Sequence, residues 1–127
     1  MVTPQYPHPG DIYHLNLSPS AGSEQAGKHY ALVVSVGKFN KASGMPFFAP
    51  ITTVGNKSKA LGVGVNLTGA GTSITGTIQV DQIKALDWRK RGGTPTGEKV
   101  PDYIMDEVLA KFGLLFGLYL PEDEEEE

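Results

Sequence analysis

No cysteine occurs among the 127 residues, which excludes a disulfide framework and any thiolate-held metal. That absence fits a reducing compartment. Nowhere does an uncharged apolar run approach the roughly 18 residues that a membrane-crossing helix needs. The opening MVTPQYPHPG has no basic start followed by an apolar stretch, so it does not read as a signal peptide. A soluble, cytoplasmic protein with no membrane association is therefore expected. Histidines and carboxylates stand at no metal-ligand spacing, so neither metal nor cofactor is expected.

Fixed charge is scarce in the body of the chain and concentrated at one end. The formal net charge is -3, yet PEDEEEE (121–127) holds six of the fourteen acids and leaves eight against eleven bases. A block of like charges repels itself and stays solvated, so the tail reads as flexible. The remainder is mildly basic, which suits phosphate without identifying a nucleic-acid binder.

Sixteen glycines and nine prolines cut the chain into short pieces, favouring strands and turns over a helical bundle. DIYHLNL (11–17) alternates, with Tyr13, Leu15 and Leu17 facing inward. HYALVVSV (29–36), apolar and β-branched on both faces, reads as a central strand. FNKASGM (39–45) is a polar turn with room for a short helix. PFFAPIT (46–52) is a third strand, which Pro46 and Pro50 confine to entry or edge positions. A basic, glycine-flanked loop, VGNKSKALG (54–62), feeds GVGVNL (62–67). In TGTIQVDQIKAL (75–86), Ile78 and Val80 point one way and Gln79 and Asp81 the other, until a shift at Gln82–Ile83 suggests a bulge or bend. WRKRGGTPTG (88–97) reads as a basic loop.

Pro101 and Asp102 open the one convincing helix, since proline suits a first turn and an acid complements the helix dipole. Ile104, Met105, Val108, Leu109, Phe112, Leu115 and Phe116 form its apolar stripe, and Gly113 weakens its second half. Five or so strands and a terminal helix make a mainly β chain. Such a chain builds a small barrel or curled antiparallel sheet with the helix over an open side.

GDIYHLNLSPSAGSEQAGKHYALVVS (10–35) resembles the amino-terminal signature of the MazF/PemK/Kid toxins of toxin–antitoxin systems. It has the strand with GD, the proline turn, G-x-EQ-x-G and a strand ending LVVS. The similarity continues through FNKASGM, PFFAPITT, VGNKSKALG, TGTIQVDQIKALDWRKRGG and VPDYIMDEVLAKF, to about Gly117. NKSKALG and the RGG…VP…IM-x-EVL ending stand nearest the PemK/Kid branch. This resemblance implies one SH3-like antiparallel barrel with a C-terminal α-helix over residues 1–120. It implies a homodimer that cuts single-stranded RNA at short sequences without a metal, leaving a 2′,3′-cyclic phosphate and a 5′-hydroxyl. The further partners implied are a cognate antitoxin, whose acidic flexible tail blocks the RNA groove, and operator DNA reached only through that antitoxin.

Attack by the RNA's own 2′-hydroxyl needs a base, an acid for the leaving 5′-oxygen and donors to the phosphoryl oxygens. The resemblance makes Asp81 the catalytic carboxylate, and strand alternation keeps it off the core face. Thr52 matches a hydroxyl that donates near the scissile phosphate, with Thr53 able to stand in. Glu24 and Gln25 match the EQ pair bordering the groove. His29 stands where most relatives carry the arginine of G-x-R-P, and is expected to take over part of the acid–base work beside the fixed charge of Lys28.

Gln79 and Gln82 flank Asp81 as groove residues. Lys57, Lys59, Arg89 and Arg91 are expected to meet phosphates, and Lys90 to be a solvated loop residue. Phe47 and Phe48 alternate faces, so at most one is free to stack a base, and Trp88 is expected on the helix or on the dimer partner. His8 and His14 are set aside, one in a proline-rich start and the other on a polar strand face.

Departures from the pattern define the alternatives. Besides His29, Gln79 stands where the Kid branch has an arginine, and Ser23 where it has an imidazole. A family member that binds RNA or antitoxin without cutting is one alternative. A gyrase poison like CcdB is another, but it relies on a Trp-Gly-Ile ending where this sequence has LYLPEDEEEE.

Overall fold

The strand that reads as central, β2 (Lys28–Val33), lies between β1 (Asp11–Asn16) and β3 (Phe47–Thr52). The computed structural model describes residues 6–17, 27–53 and 61–117. Ser23, Glu24, Gln25, Lys57, Lys59 and the tail at 121–127 lie outside the described residues. Helix α1 (Gly37–Ser43) links β2 to β3; β4 (Gly64–Asn66), β5 (Thr77–Gln79), a 3-10 turn (Val80–Gln82), β6 (Lys84–Ala85), β7 (Thr94–Lys99) and helix α2 (Asp102–Leu114) follow. The sheet runs β4–β5–β3–β2–β1–β7 with β6 also on β3, and every pairing is antiparallel. The mainly β architecture with a C-terminal helix is the one expected.

The sheet buries both faces. On one, Ile12, Leu32, Ile51, Val65, Ile78 and Val80 meet Ile104 and Val108 of α2. On the other, Tyr13, Leu15, Ala31, Val33, Phe48, Leu86 and Trp88 form a second cluster. Alternation had placed only Tyr13, Leu15 and Leu17 of β1 inward, whereas Ile12 is fully buried against the helix side. A fully buried aliphatic side chain stabilises by about 1.5–3 kcal/mol, so each face is a core in its own right.

Several other expectations are corrected. Trp88 packs neither on α2 nor in its cluster; it meets Tyr13 edge-on with centroids 5.5 Å apart. The basic loop at 88–97 is a loop only in its first half. Thr94–Lys99 pairs with β1 as an edge strand, where Pro95 is tolerated. The short helix allowed for at 39–45 is present and starts earlier, at Gly37; buried Asn40 anchors it, its amide donating to the carbonyls of Pro7 at 2.9 Å and Ser35 at 2.8 Å.

Pro50 sits in an interior strand rather than at an edge, and the ladder shows why. The Val34 N–H donates to the Phe47 carbonyl at 2.9 Å, and antiparallel bonding alternates. Tyr30–Ile51 and Leu32–Ala49 are therefore hydrogen-bonded pairs, and Ala31–Pro50 between them is not. Proline's missing N–H thus faces the other side of β3, where β5 has just left the ladder.

Helix α2 begins as its composition predicts. Pro101 is the extended cap, Asp102 lies in the first turn, and the Ile104 N–H donates to the Pro101 carbonyl at 3.0 Å. Near its other end Lys111 donates to the Gly64 carbonyl at 2.8 Å and pairs with Glu107 at 3.2 Å. The helix is thereby tied to β4.

Candidate functional site

The same alternation fixes what stands beside what at the open end of the sheet. The β2–β3 ladder runs from Val33–Phe48 to Tyr30–Ile51, so His29 lies one residue before its last pair and Thr52 one residue after it. Thr52 pairs onward with Thr77 of β5, and His29 with Leu15 of β1. Alternation from Tyr30–Ile51 puts both pairs on one face, so one row carries Leu15 with His29 and Thr52 with Thr77. Leu15 and Thr77 are buried, Thr52 is half-buried and His29 is exposed. Thr53 follows, exposed, directly after β3.

Asp81 reaches this region by an arch. β3 pairs Ile51 with Ile78 and Phe48 with Lys84, so three steps on β3 match six on its neighbour. The surplus is taken up by the 3-10 turn Val80–Gln82, which is the bend expected at Gln82–Ile83. Val80 remains buried with the α2 core, and Asp81 is half-buried facing away from it. It lies between the Ile51–Ile78 and Phe48–Lys84 pairs, away from the Thr52–Thr77 pair. The exposed Gln82 donates its side-chain N–H to the Asp81 carboxylate at 3.2 Å, and half-buried Gln79 pairs with Gly64.

Cations gather where β1 and β2 end. The Lys28 ammonium donates to the Gly92 carbonyl at 3.0 Å, and Arg91 donates to the Asn16 carbonyl at 3.1 Å while accepting the Asn16 N–H through its own carbonyl. Backbone carbonyls position these two groups. Arg89 lies over the Trp88 ring at 4.6 Å, a cation–π contact, and Lys90 is exposed. Under them, burial pushes the Tyr13 phenol up to about 12, with the Asp11 carboxylate adding to the rise and Arg89 opposing it.

Two contacts outside the row hold it in place. Glu98 of β7 accepts the Ser73 N–H, the Ser73 hydroxyl and the Ile74 N–H, which fixes the loop entering β5. Those donors hold its carboxyl below the usual range. Gly76 then passes so close to β3 that a Cβ there would lie 2.6 Å from the Thr52 carbonyl oxygen.

Register thus sets His29 and Thr52 on one face, puts Lys28 one residue from His29, groups Lys28 and Arg91 about Asn16, and sets Asp81, Gln79 and Gln82 further along the β5–β6 side. Residue-by-residue reading passed over one pair. His14 and Tyr30 are cross-strand partners with ring centroids 4.9 Å apart, on the face opposite His29. An aromatic beginning an otherwise aliphatic strand was the available signal, but the meeting depends on hairpin register. Among the described residues no group of three or more histidines and carboxylates could hold a metal ion, and no helix is long and apolar enough to cross a membrane.

Comparison with known proteins is concordant. A family model described as PemK-like, MazF-like toxin of type II toxin–antitoxin system matches residues 8–116. Endoribonuclease PemK of Escherichia coli is 37% identical over 106 residues, covering 84% of this chain and 79% of that protein. Endoribonuclease toxin MazF of Escherichia coli strain K12 is 35% identical over 117 residues, covering 92% and 100%. The crystal structure of MazF (Form-I) from Deinococcus radiodurans superposes with a TM-score of 0.74 at 30% identity, covering 90% of this chain and 99% of that one. A MazE–MazF structure (Form-III) from the same organism gives 0.75 at 29% identity, covering 88% and 97%.

Proposed function

The chain belongs to the PemK-like, MazF-like toxins of type II toxin–antitoxin systems, and on that premise we propose that it is an endoribonuclease toxin restrained by a cognate antitoxin. Its substrate on this reading is single-stranded messenger RNA in the cytoplasm, cut at short sequences without a metal. The observation that carries the reading is the exposed His29, paired with Leu15 near the start of β2, beside a carbonyl-anchored cluster of cations.

In the proposed reaction the 2′-hydroxyl attacks the adjoining phosphate. The new P–O2′ bond closes a 2′,3′-cyclic phosphate, and the P–O5′ bond breaks to release a 5′-hydroxyl. Asp81 takes the proton from the 2′-hydroxyl, and protonated His29 delivers one to the departing 5′-oxygen. Thr52 donates to a non-bridging oxygen as charge builds there. Lys28, Arg89 and Arg91 hold neighbouring phosphates and supply the sequence-independent part of affinity.

The working form is a homodimer. Its support is an apolar groove of about 270 Å³ lined by Val34, Phe47, Ile83, Leu109 and Phe112, with Leu109 46% and Phe116 66% exposed on α2. Exposed apolar patches of this kind mark interaction surfaces. Leu109→Glu with Phe116→Glu should give a folded monomer by light scattering; an unchanged dimer would move the interface elsewhere.

The test of function uses the full chain with a long single-stranded RNA in EDTA. Cuts ending in cyclic phosphate are expected, slowed about 100-fold or more in His29→Ala and Asp81→Asn. RNA bound but never cut would replace the enzyme with a binding module of the same fold.

A further inference from the structure

The His14–Tyr30 pair has no part in the chemistry above, yet it sets two neighbouring rings at the surface of the sheet. Both strands hand it to solvent for a geometric reason. Tyr30 bonds through its backbone to β3, so His14–Tyr30 is a non-hydrogen-bonded pair between β1 and β2, the arrangement that brings side chains closest. The rings lie 4.9 Å apart between centroids at 39°. His14 is half-buried and supports the pair, while Tyr30 remains 40% exposed.

Two residues further along the same face stand Asn16 and Lys28, themselves paired. The Lys28 ammonium is fixed there by the Gly92 carbonyl at 3.0 Å. Along one face the order is therefore an aromatic ring backed by a second ring, then an anchored cation. One residue away, on the reverse face, is His29.

Resting on the ribonuclease reading above, we propose that Tyr30, braced by His14, stacks a base of the bound single-stranded RNA while Lys28 holds a phosphate next to it. A flat ring beside a cation is the common solution for single-stranded nucleic acid, since every base has a π-face and every linkage a charge. Because Tyr30 and His29 stand on opposite faces, such a platform seats a nucleotide that has passed around the start of β2 from the scissile phosphate. A duplex, whose bases are already stacked, gains nothing from it.

The experiment measures binding of the full chain to 2′-O-methylated mixed-sequence RNA 12-mers, which cannot be cut, by fluorescence anisotropy across a salt series. Cleavage of unmodified RNA is followed in parallel. Tyr30→Ala and Tyr30→Leu are expected to bind about 10-fold more weakly, and Tyr30→Phe and Tyr30→Trp within about 2-fold of the parent. The slope of log affinity against log salt should be unchanged in all four, whereas Lys28→Ala flattens it by about 0.7. His14→Ala should lose less than Tyr30→Ala, since it touches the ring and not the base.

Parent-like affinity in both Tyr30→Ala and Tyr30→Leu, with the parent binding and cutting RNA, overturns the platform alone. A loss that comes with a flatter slope also overturns it, because the contact would then be electrostatic. A parent chain that neither binds nor cuts RNA overturns the ribonuclease reading and the platform together.

Discussion

Asn40 of α1 donates its side-chain amide to the carbonyl of Pro7 at 2.9 Å, joining the segment before β1 to a helix 33 residues further along. The same amide serves the Ser35 carbonyl, and its oxygen accepts from the Ser35 hydroxyl. Asn40→Ala takes this donor from the buried Pro7 carbonyl and the part-buried Ser35 carbonyl, at about 1–3 kcal/mol for each one orphaned. Urea unfolding should show a loss of about 2–4 kcal/mol with the slope unchanged. A loss under 1 kcal/mol would mean that water replaces the amide without cost.

Glu98 gives a pH dependence of definite sign. Its carboxyl is held below its ordinary value of 4.5 by the Ser73 and Ile74 donors, so it binds protons less readily folded than unfolded. The stabilisation is complete above the ordinary range and fades as pH falls below about 4.5 through the lowered value. Glu98→Gln should lower the melting temperature at pH 7, and the gap between the two proteins should close on acidification. A gap constant from pH 7 to pH 3 would exclude a charge-dependent clasp.

Gly76 is at φ +123, and a methyl group there would meet the Thr52 carbonyl at 2.6 Å. Gly76→Ala therefore strains the backbone and pushes β5 from β3 at the row that carries Thr52. About 2 kcal/mol or more of stability should be lost. RNA cleavage should fall even below the unfolding temperature of the variant, because Thr52 moves with the strand. Full activity in the folded variant would remove Thr52 from the reaction.

His29 tests the division of labour directly. Arginine supplies a forked, permanently charged donor but cannot exchange a proton near neutrality. If charge on the phosphate is what matters, His29→Arg should cut RNA at least as fast as the parent. If proton delivery matters, it should fall toward the rate of His29→Ala. Single-turnover rates on one RNA distinguish the two.

Strand order near β2 was legible because HYALVVSV is apolar on both faces, and a strand covered on both sides sits in the middle. Helix α2 was legible from Pro101, Asp102 and a stripe at three and four. β7 was not, since Thr94–Lys99 is polar, contains Pro95 and Gly97, and takes its place from pairing with β1 rather than from side-chain pattern. Ile12 shows the same limit: alternation says that two faces differ but not that both are covered. Asp81 could be set off the core from Ile78 and Val80, but the arch that carries it depends on a count of residues across two separate ladders. The His14–Tyr30 meeting is the extreme case, a property of two strands that neither displays alone.

β3 is bonded along one side to β2 and along the other to β5 and, past the arch, to β6. A slip of β3 by one position would have to undo three ladders at once, so Thr52, held by Thr77 just past the β2 ladder, keeps its register like the end of a beam built into a wall. The arch at 80–82 escapes that clamp, because its residues are surplus to the pairing. Evolution can thus lengthen, shorten or recompose the segment bearing Asp81 while the threonine keeps its address, which makes the acid, rather than the hydroxyl, the adjustable partner of this surface.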